Sequence, residues 1–251
     1  MDIQAYFDRI GYTGSAEPTA ENLAKILRLH LETVPFENLD SYPNGKAMTN
    51  DMKALYEKVV VRRRGGVCFE LNTLFYGLLK AMGYETYPIE VRLHMRPDFP
   101  APYTHGGVVA VIDGVKYYCD VGFGGPGPKG LVPLNTEEEQ IFDGMRYRVR
   151  VEGIYVKIEW FHDDEWHLQI SYADIPCIPE DFQARLYFFT TAPDSHFVVQ
   201  RIVNLCLPCG GSLALTGNQF TARRNGEVTQ VVLETEEEVT RVLKEEFGIV
   251  L

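Results

Sequence analysis

The sequence predicts an α+β protein built from a helical region, a β-rich region and a mixed α/β region, in that order. Three observations support this prediction. Apolar residues recur at helical spacing up to about Tyr84, β-rich runs joined by turn dipeptides dominate residues 85–174, and both patterns alternate after Pro179. A chain of 251 residues is long enough to bury a core of this kind.

The first region contains helices that begin and end at recognisable residues. Apolar positions at helical spacing predict helices over residues 19–31 and 51–61. A third predicted helix covers residues 69–82, and Gly83 ends it because glycine readily adopts the left-handed backbone that terminates a helix. We therefore expect a helical N-terminal region.

A hairpin opens the β-rich region. Residues 108–112 and 115–121 flank Asp113-Gly114, a dipeptide typical of a two-residue turn between antiparallel strands. If Ile112 faces Val115, the register of the two strands follows directly.

A second hairpin is predicted further along the chain. Residues 145–151 and 154–161 flank Glu152-Gly153, and pairing Val151 with Ile154 sets Arg146 opposite Glu159. The arginines that alternate along the first of these strands indicate a solvent face, and the region resembles a small antiparallel barrel or sandwich. The alternating arginines are Arg146, Arg148 and Arg150.

The last region mixes helices and strands. Pro179 begins a predicted helix that reaches Phe189, in keeping with the preference for proline in the first turn. Thr235 and Glu238 form a capping box for a final helix that Gly248 ends. Between these helices, strands are predicted over residues 197–205, 212–215, 220–224 and 229–233.

Composition excludes some partners. The net charge of −11 disfavours nucleic acids and anionic membranes, since both attract basic surfaces. No apolar run approaches the length of a membrane helix, and the N-terminus lacks the pattern of a secretory signal. Five irregularly spaced cysteines indicate free thiols, so we expect a cytoplasmic location.

The strongest chemical signal is the stretch from Arg64 to Asn72. Gly65-Gly66 leads directly into a predicted helix, with Cys68 at the junction. A helix N-terminus favours a thiolate over a thiol and offers N–H groups to an oxyanion. The alternative is a small buried cysteine that only packs, but the double glycine favours the nucleophile.

The first hairpin supplies a base for this nucleophile. With Ile112 facing Val115, His105 and Asp120 are diagonal neighbours on one face, roughly 7–8 Å apart between their backbones. A carboxylate on one ring nitrogen orients an imidazole toward a thiol. Read separately, His105 is a strand residue and Asp120 a turn residue. Together with Cys68 they predict a catalytic triad.

Three other motifs carry weaker signals. The glycine-rich residues 122–130, which include Lys129, suit backbone binding of a ligand, although an irregular turn explains them equally well. Cys206 and Cys209 form a Cys-x-x-Cys without a second ligand pair, so we interpret it as structural. We interpret His162 and His167 as residues of a solvated turn and expect no metal site.

These motifs together resemble the arylamine N-acetyltransferase family. The resemblance rests on residues 64–72, the stretch 34–39, His105 and residues 120–124, and it extends to the closing residues 246–249. It implies a cysteine-protease-like core in three domains: a helical bundle, a β-barrel and an α/β lid. The bundle, residues 1–84, would carry the nucleophile; the barrel, residues 85–178, would carry the histidine and aspartate; and the lid would cover residues 179–251.

The resemblance also implies a reaction. Cys68, His105 and Asp120 would form the catalytic triad, with acetyl-coenzyme A as the acetyl donor and arylamines or arylhydrazines as acceptors. Transfer would follow a ping-pong mechanism through an acetyl-cysteine. Glu37 and Arg64 are expected to pair. The expected coenzyme A contacts are Thr104, Phe123, Gly124 and Gly125, and the expected acceptor contacts are Phe36, Phe69 and Phe123.

Other functions use the same three residues. A thiol hydrolase would release the acyl group to water, and an amide synthase would close a macrolactam from a carrier-bound chain. A non-catalytic binding protein would not need Cys68, His105 and Asp120 intact. The oligomeric state and the preferred amine are not encoded in any motif that we recognise.

Overall fold

The computed structural model of the chain describes residues 1–95 and 100–251. It confirms the predicted α+β class, with helices first, then an antiparallel barrel, then a mixed region. The α-helices of the described residues are α1 (Ile3–Ile10), α2 (Ala20–Thr33), α3 (Met52–Tyr56), α4 (Cys68–Ala81), α5 (Gln183–Thr191), α6 (His196–Val199) and α7 (Glu236–Phe247). A π-helix covers Glu57–Val61, and 3₁₀ turns cover Pro179–Phe182 and Pro208–Gly210.

The strands form two sheets. They are β1 (Phe36–Glu37), β2 (Glu85–Leu93), β3 (Tyr103–Ile112), β4 (Val115–Cys119), β5 (Val132–Pro133), β6 (Gln140–Phe142), β7 (Met145–Glu152), β8 (Tyr155–His162), β9 (Glu165–Ala173), β10 (Ile202–Cys206), β11 (Ser212–Thr216), β12 (Gln219–Arg224) and β13 (Glu227–Val232). The larger sheet has the order β5-β4-β3-β2-β9-β8-β7-β6, and the smaller has the order β1-β10-β11-β12-β13.

Local signals explain the helix ends. Thr19 accepts a hydrogen bond from Asn22 N–H at the start of α2, and the Thr235–Glu238 capping box starts α7 as predicted. Gly83 and Gly248 have φ values of 88° and 67°, which L-residues with a side chain rarely adopt. Short sequence motifs therefore set the starts of α2 and α7 and the ends of α4 and α7.

The larger sheet curls into a nearly closed barrel because one face of its strands is apolar. Side chains from β2, β3, β4, β5, β7, β8 and β9 meet in one buried cluster, as the interior of a small barrel requires. Val109 and Tyr118 of the first hairpin belong to this cluster, whereas Val108 and Ala110 point to the other side and pack on the helical bundle. The hairpin β3–β4 thus lies between bundle and barrel interior.

That shared packing bears on the domain division. The core of the helical bundle continues onto β3 and β4, so apolar contacts cross the boundary expected near residue 84. The smaller sheet packs its own cluster against α7. The division into residues 1–84, 85–178 and 179–251 stays a prediction.

Two sequence-based expectations are wrong in detail. Glu152 pairs with Tyr155, so the β7–β8 turn is Gly153-Ile154, and Arg148 rather than Arg146 faces Glu159. Gly153, with φ of 62°, takes the first central position of the turn. The strand expected over residues 197–205 begins only at Ile202, because residues 196–199 form α6.

Within the described residues, no helix combines the length and apolar character needed to cross a membrane.

Candidate active site

Cys68 is the first residue of α4 and is 4% exposed. The chain approaches it through Gly65, where a Cβ would lie 1.9 Å from the carbonyl oxygen of Pro35. Only glycine fits this turn. The N–H of Val67 donates to the Glu70 carboxylate at 3.1 Å and so caps the start of α4. As the first residue of α4, Cys68 lies at the positive end of the helix dipole.

The hairpin brings His105 and Asp120 together as predicted. Ile112 pairs with Val115, and Asp113 and Gly114 have φ values of 50° and 78°, as a two-residue turn of this kind requires. His105 Nε2 lies 2.7 Å from Asp120 Oδ2, and the residues are both 2% exposed.

A β-bulge precedes the histidine. Val91 pairs with His105 and Arg92 pairs with Tyr103, so Thr104 is an extra residue on β3. Bulges turn the adjoining side chains out of the regular alternation and are common beside active sites. Thr104 consequently lines the same cavity as His105.

Asp120 is held by donors on both carboxylate oxygens. Tyr118 Oη donates to Oδ2 at 2.7 Å, while Asn72 Nδ2 and the Gly122 N–H each donate to Oδ1 at 2.9 Å. Burial by itself raises the pKa of Asp120, but His105, Asn72 and Tyr118 together lower it below the ordinary value. The carboxylate therefore stays ionised beside the imidazole.

The imidazole and the sulfur line the same cavity. Burial by itself lowers the pKa of His105, but the Asp120 carboxylate and the nearby Cys68 together raise it to about 10. Since Asp120 occupies Nε2, Nδ1 is the ring nitrogen left for the sulfur. A protonated imidazole stabilises a neighbouring thiolate, which is the nucleophilic form of cysteine.

Gly122 and Gly106 permit the close approach of barrel and bundle. A Cβ on Gly122 would lie 2.8 Å from the Cα of Cys68, so a larger residue would push the two apart. A Cβ on Gly106 would lie 3.2 Å from the rings of Phe69 and Phe182, which fill this space.

Five charged side chains form a cluster around the turn that precedes Cys68. Arg64 lies 2.8 Å from Glu37 and 3.2 Å from Asp40, which confirms the predicted Glu37–Arg64 pair. Lys58 Nζ lies 2.9 Å from Asp40 and 3.0 Å from Glu70. Glu37 is fully buried, in contrast to an ordinary exposed pair. We call these five side chains the buried ion cluster.

The sulfur opens into a mainly apolar cavity of about 540 Å³, here called the thiol cavity. Its walls come from the bundle, from the barrel and from the segment around α5 and α6. Its lining residues include Phe36, Cys68, Thr104, His105, Phe123 and Phe197. A cavity of this size suits a small organic molecule.

A second cavity of about 520 Å³ adjoins the thiol cavity, and Phe36 and Phe123 line both. Residues 123–129 of the glycine-rich loop form one side, and strands β10 to β12 form another. Lys129 and Arg223 bring positive charge to its lining. The loop is held in place because Gln169 Nε2 donates to the Pro126 carbonyl at 2.8 Å.

The predicted contact residues divide between these cavities. Thr104 lines the thiol cavity, Gly124 and Gly125 line the second cavity, and Phe123 lines both. Phe69 lines neither; its ring packs 5.1 Å from that of Phe182 and is 1% exposed. The structure does not support the predicted acceptor contact of Phe69, because the position of this residue in the first turn of α4 directs its ring into the core.

The remaining motifs lie outside the thiol cavity. Cys206 lines the second cavity and Cys209 is exposed, both as free thiols, and His162 lies at the rim of the second cavity. Among the described residues, no group of three or more histidine, cysteine, aspartate or glutamate side chains is placed to hold a metal ion.

Two hydrogen-bond partners of Asp120, Asn72 and Tyr118, were not predicted from the sequence, although their spacing in the sequence indicates both. Asn72 follows Cys68 by one helical turn, so both lie on one face of α4. Tyr118 precedes Asp120 by two residues, which places both on one face of the hairpin.

Comparison with known proteins identifies the class and then the family. Residues 19–251 match a family model described as N-acetyltransferase, so the chain is an acyltransferase. The arylamine N-acetyltransferase of Mycobacterium tuberculosis is 32% identical over 99% of this chain and 89% of its own length. The human arylamine N-acetyltransferase 1 is 30% identical over 100% of this chain and 95% of its own length. The chain belongs to the arylamine N-acetyltransferase family.

Solved structures agree with this assignment. The arylamine N-acetyltransferase of Salmonella typhimurium superposes with a TM-score of 0.91 at 29% identity, covering 98% of this chain and 90% of the other. The Mycobacterium marinum enzyme in complex with CoA superposes with a TM-score of 0.89 at 30% identity, covering 99% and 93%.

Proposed function

We propose that this chain transfers an acetyl group from acetyl-coenzyme A to arylamines or arylhydrazines through an acetyl-Cys68 intermediate. The observation that carries the proposal is that Cys68 lines one cavity with a buried imidazole that is itself 2.7 Å from a carboxylate. Family membership supports the acyl transfer, and the M. marinum relative was solved with CoA bound.

In the first half-reaction, the Cys68 thiolate attacks the carbonyl carbon of the thioester. Free backbone N–H groups at the start of α4 would stabilise the oxyanion that forms. The bond between carbon and the coenzyme sulfur breaks, and His105 gives its proton to the departing thiolate. Cys68 then carries the acetyl group, and His105 is neutral.

In the second half-reaction, the amine nitrogen attacks the acetyl carbon. His105, now neutral, takes a proton from the nitrogen, while Asp120 stabilises the imidazolium that forms. The bond between carbon and Cys68 Sγ breaks as the amide forms. The thiolate and imidazolium are thereby restored for the next turnover.

The adjoining cavities suggest where the substrates bind. We place the acceptor ring in the thiol cavity against Phe36 and Phe123, because these are aromatic residues that line it. We place coenzyme A along Thr104, Phe123, Gly124 and Gly125. Lys129 and Arg223 of the second cavity are suited to the phosphates of coenzyme A.

A cytoplasmic location stays a prediction. The five cysteines are free thiols, which supports a reducing compartment.

Mass spectrometry tests the intermediate directly. We expect incubation with acetyl-coenzyme A, without amine, to add one acetyl group to the peptide that contains Cys68. The Cys68→Ala variant should show no adduct and no turnover, while the Cys209→Ala variant, which changes an exposed cysteine outside both cavities, should behave as wild type.

The same measurement separates the alternatives. An amide synthase that uses carrier-bound chains would leave Cys68 unmodified, and a thiol hydrolase would release acetate at the same rate with or without amine. Turnover by Cys68→Ala would exclude this residue as the nucleophile.

A further inference from the structure

The short strand β1 connects the turn that precedes Cys68 to the wall of the thiol cavity formed by the segment around α6. On one side, the Glu37 N–H donates to the Gly66 carbonyl at 2.9 Å, and the Glu37 carboxylate pairs with Arg64. On the other side, Phe36 pairs with Asn204 of β10. β1 therefore lies between the turn that presents Cys68 and strand β10 of the smaller sheet.

Asn38, the next residue, makes three side-chain hydrogen bonds to one lid segment. Its amide Nδ2 donates to the carbonyls of Phe197 at 2.8 Å and Gln200 at 2.7 Å. Its Oδ1 accepts from the Ile202 N–H at 2.8 Å. Asn38 is fully buried, so these bonds are shielded from water.

The segment that Asn38 binds forms one wall of the thiol cavity. The ring of Phe197 lies 6.0 Å from that of Phe36 and 6.3 Å from that of Phe189, and all three rings line the cavity. The β-branched residues that follow Phe197 favour a strand, yet residues 196–199 form α6. Ser195 caps this helix, and Asn38 binds two carbonyls at its C-terminal end.

We infer that Asn38 is a positioning residue that holds Phe197 against Phe36 and so keeps water from the acetyl group on Cys68. This inference rests on the proposed acetyl-Cys68 intermediate. A transferase must favour the amine over water at that carbon, and Cys68 and His105 are only 4% and 2% exposed in this arrangement. Removing the amide frees the Phe197 wall without touching the reacting groups.

The test compares two fates of the acetyl-enzyme. Acetyl-Cys68 is formed with acetyl-coenzyme A, and its loss is followed by mass spectrometry, in buffer alone and with 4-methoxyaniline. For Asn38→Ser we expect the ratio of hydrolysis to transfer, and the KM for the amine, to rise at least about fivefold, the effect of roughly one buried hydrogen bond. Formation of acetyl-Cys68 should stay within about twofold of wild type, because the Glu37 contacts remain.

A second variant and a control sharpen the result. Asn38→Asp keeps the shape but sets a carboxylate oxygen against the carbonyls of Phe197 and Gln200, so it should shift the ratio in the same direction. Asn50→Ser is the control. Asn50 also joins the N-terminal region to the last region of the chain, through a hydrogen bond to the Pro179 carbonyl, but it does not line the thiol cavity. It should leave the ratio unchanged.

Two results for the ratio of hydrolysis to transfer overturn the inference: a wild-type ratio in a folded Asn38→Ser variant, or an equal rise in Asn50→Ser. Loss of cooperative thermal unfolding in both Asn38 variants also overturns it, because Asn38 would then be needed for folding. Failure of the wild-type chain to form acetyl-Cys68 would instead refute the proposed function.

Discussion

Charged side chains pair in two contrasting regions of this molecule. In the buried ion cluster, the paired side chains of Lys58 and Glu70 are 6% and 2% exposed. On the outer strands of the barrel, those of Lys157 and Glu152 are 37% and 61% exposed, at a separation of 2.9 Å. The distances are similar, so burial is the main difference between the two pairs.

Burial changes what a pair does for the protein. Exposed pairs gain little because water solvates each charge well when they are apart. A buried pair costs desolvation, but removing one partner leaves the other charge without compensation. The buried ion cluster therefore makes the turn that precedes Cys68 intolerant of substitution, whereas the barrel surface tolerates it.

The largest effect is expected for Lys58→Met. Glu70 and Asp40 would lose their shared cation, and we expect the free energy of unfolding to fall by about 3–5 kcal/mol. Urea denaturation measures it. The matched change Lys157→Met on the barrel should cost less than about 1 kcal/mol. Equal losses in both variants would contradict the contrast.

Glu37→Gln is expected to have a smaller effect on stability and a visible effect on rate. Arg64 keeps Asp40 as a partner, so we expect a loss of about 1–3 kcal/mol. The turn at Gly65 also loses a charged anchor, and acetylation of Cys68 should slow in stopped-flow measurements. Glu159→Gln, which also removes a carboxylate that pairs with arginine, should leave that rate unchanged.

The contribution of the buried ion cluster to stability should also depend on pH. Burial by itself raises the pKa of Asp40, but Lys58 and Arg64 lower it overall. A carboxylate whose folded-state pKa is lowered stabilises the fold above its ordinary pKa of about 3.9, and loses that effect as pH falls through the lowered value. Glu70 acts in the opposite sense, since burial raises its pKa.

Comparing wild type with Asp40→Asn isolates the contribution of Asp40. The stability difference between the two proteins, from urea denaturation at pH 7 to pH 3, should shrink as the pH falls. A difference that stays constant over that range would show that Lys58 and Arg64 do not stabilise the Asp40 charge.

The smallest effect is expected for Arg148→Ala. Arg148 pairs with Glu159 and stacks 4.4 Å above the Trp166 ring, partly exposed to solvent. We expect a loss of about 0.5–1 kcal/mol, reduced further in 1 M salt. Thermal melts at two salt concentrations test this, and a loss above that of Glu37→Gln would reverse the comparison.

The two hairpins show why one register was predictable and the other was not. In the β3–β4 hairpin, Asp113-Gly114 needs left-handed backbone at both residues, so the sequence allows one turn position. In the β7–β8 hairpin, Gly153 suits either central position. Sliding the pairing by two residues leaves every side chain on the same face, so the alternating pattern cannot distinguish the two registers.

The site residues divide in a similar way. The separation of His105 and Asp120 follows from one local turn, and Asn72 lies one turn from Cys68 on the same helix. Lys58 and Asn38 have no comparable local signal. Lys58 reaches Asp40 and Glu70 across the bundle, and Asn38 reaches Phe197 across more than half of the chain.

The sequence by itself determined the helix starts, the first hairpin and the three residues proposed for the chemistry, because turns, caps and strand alternation act over a few neighbouring residues. Only the tertiary structure decided that Phe69 packs in the core, that residues 196–199 are helical and that the ion cluster is buried. Those outcomes depend on which distant groups exclude water from one another, and no local pattern encodes that.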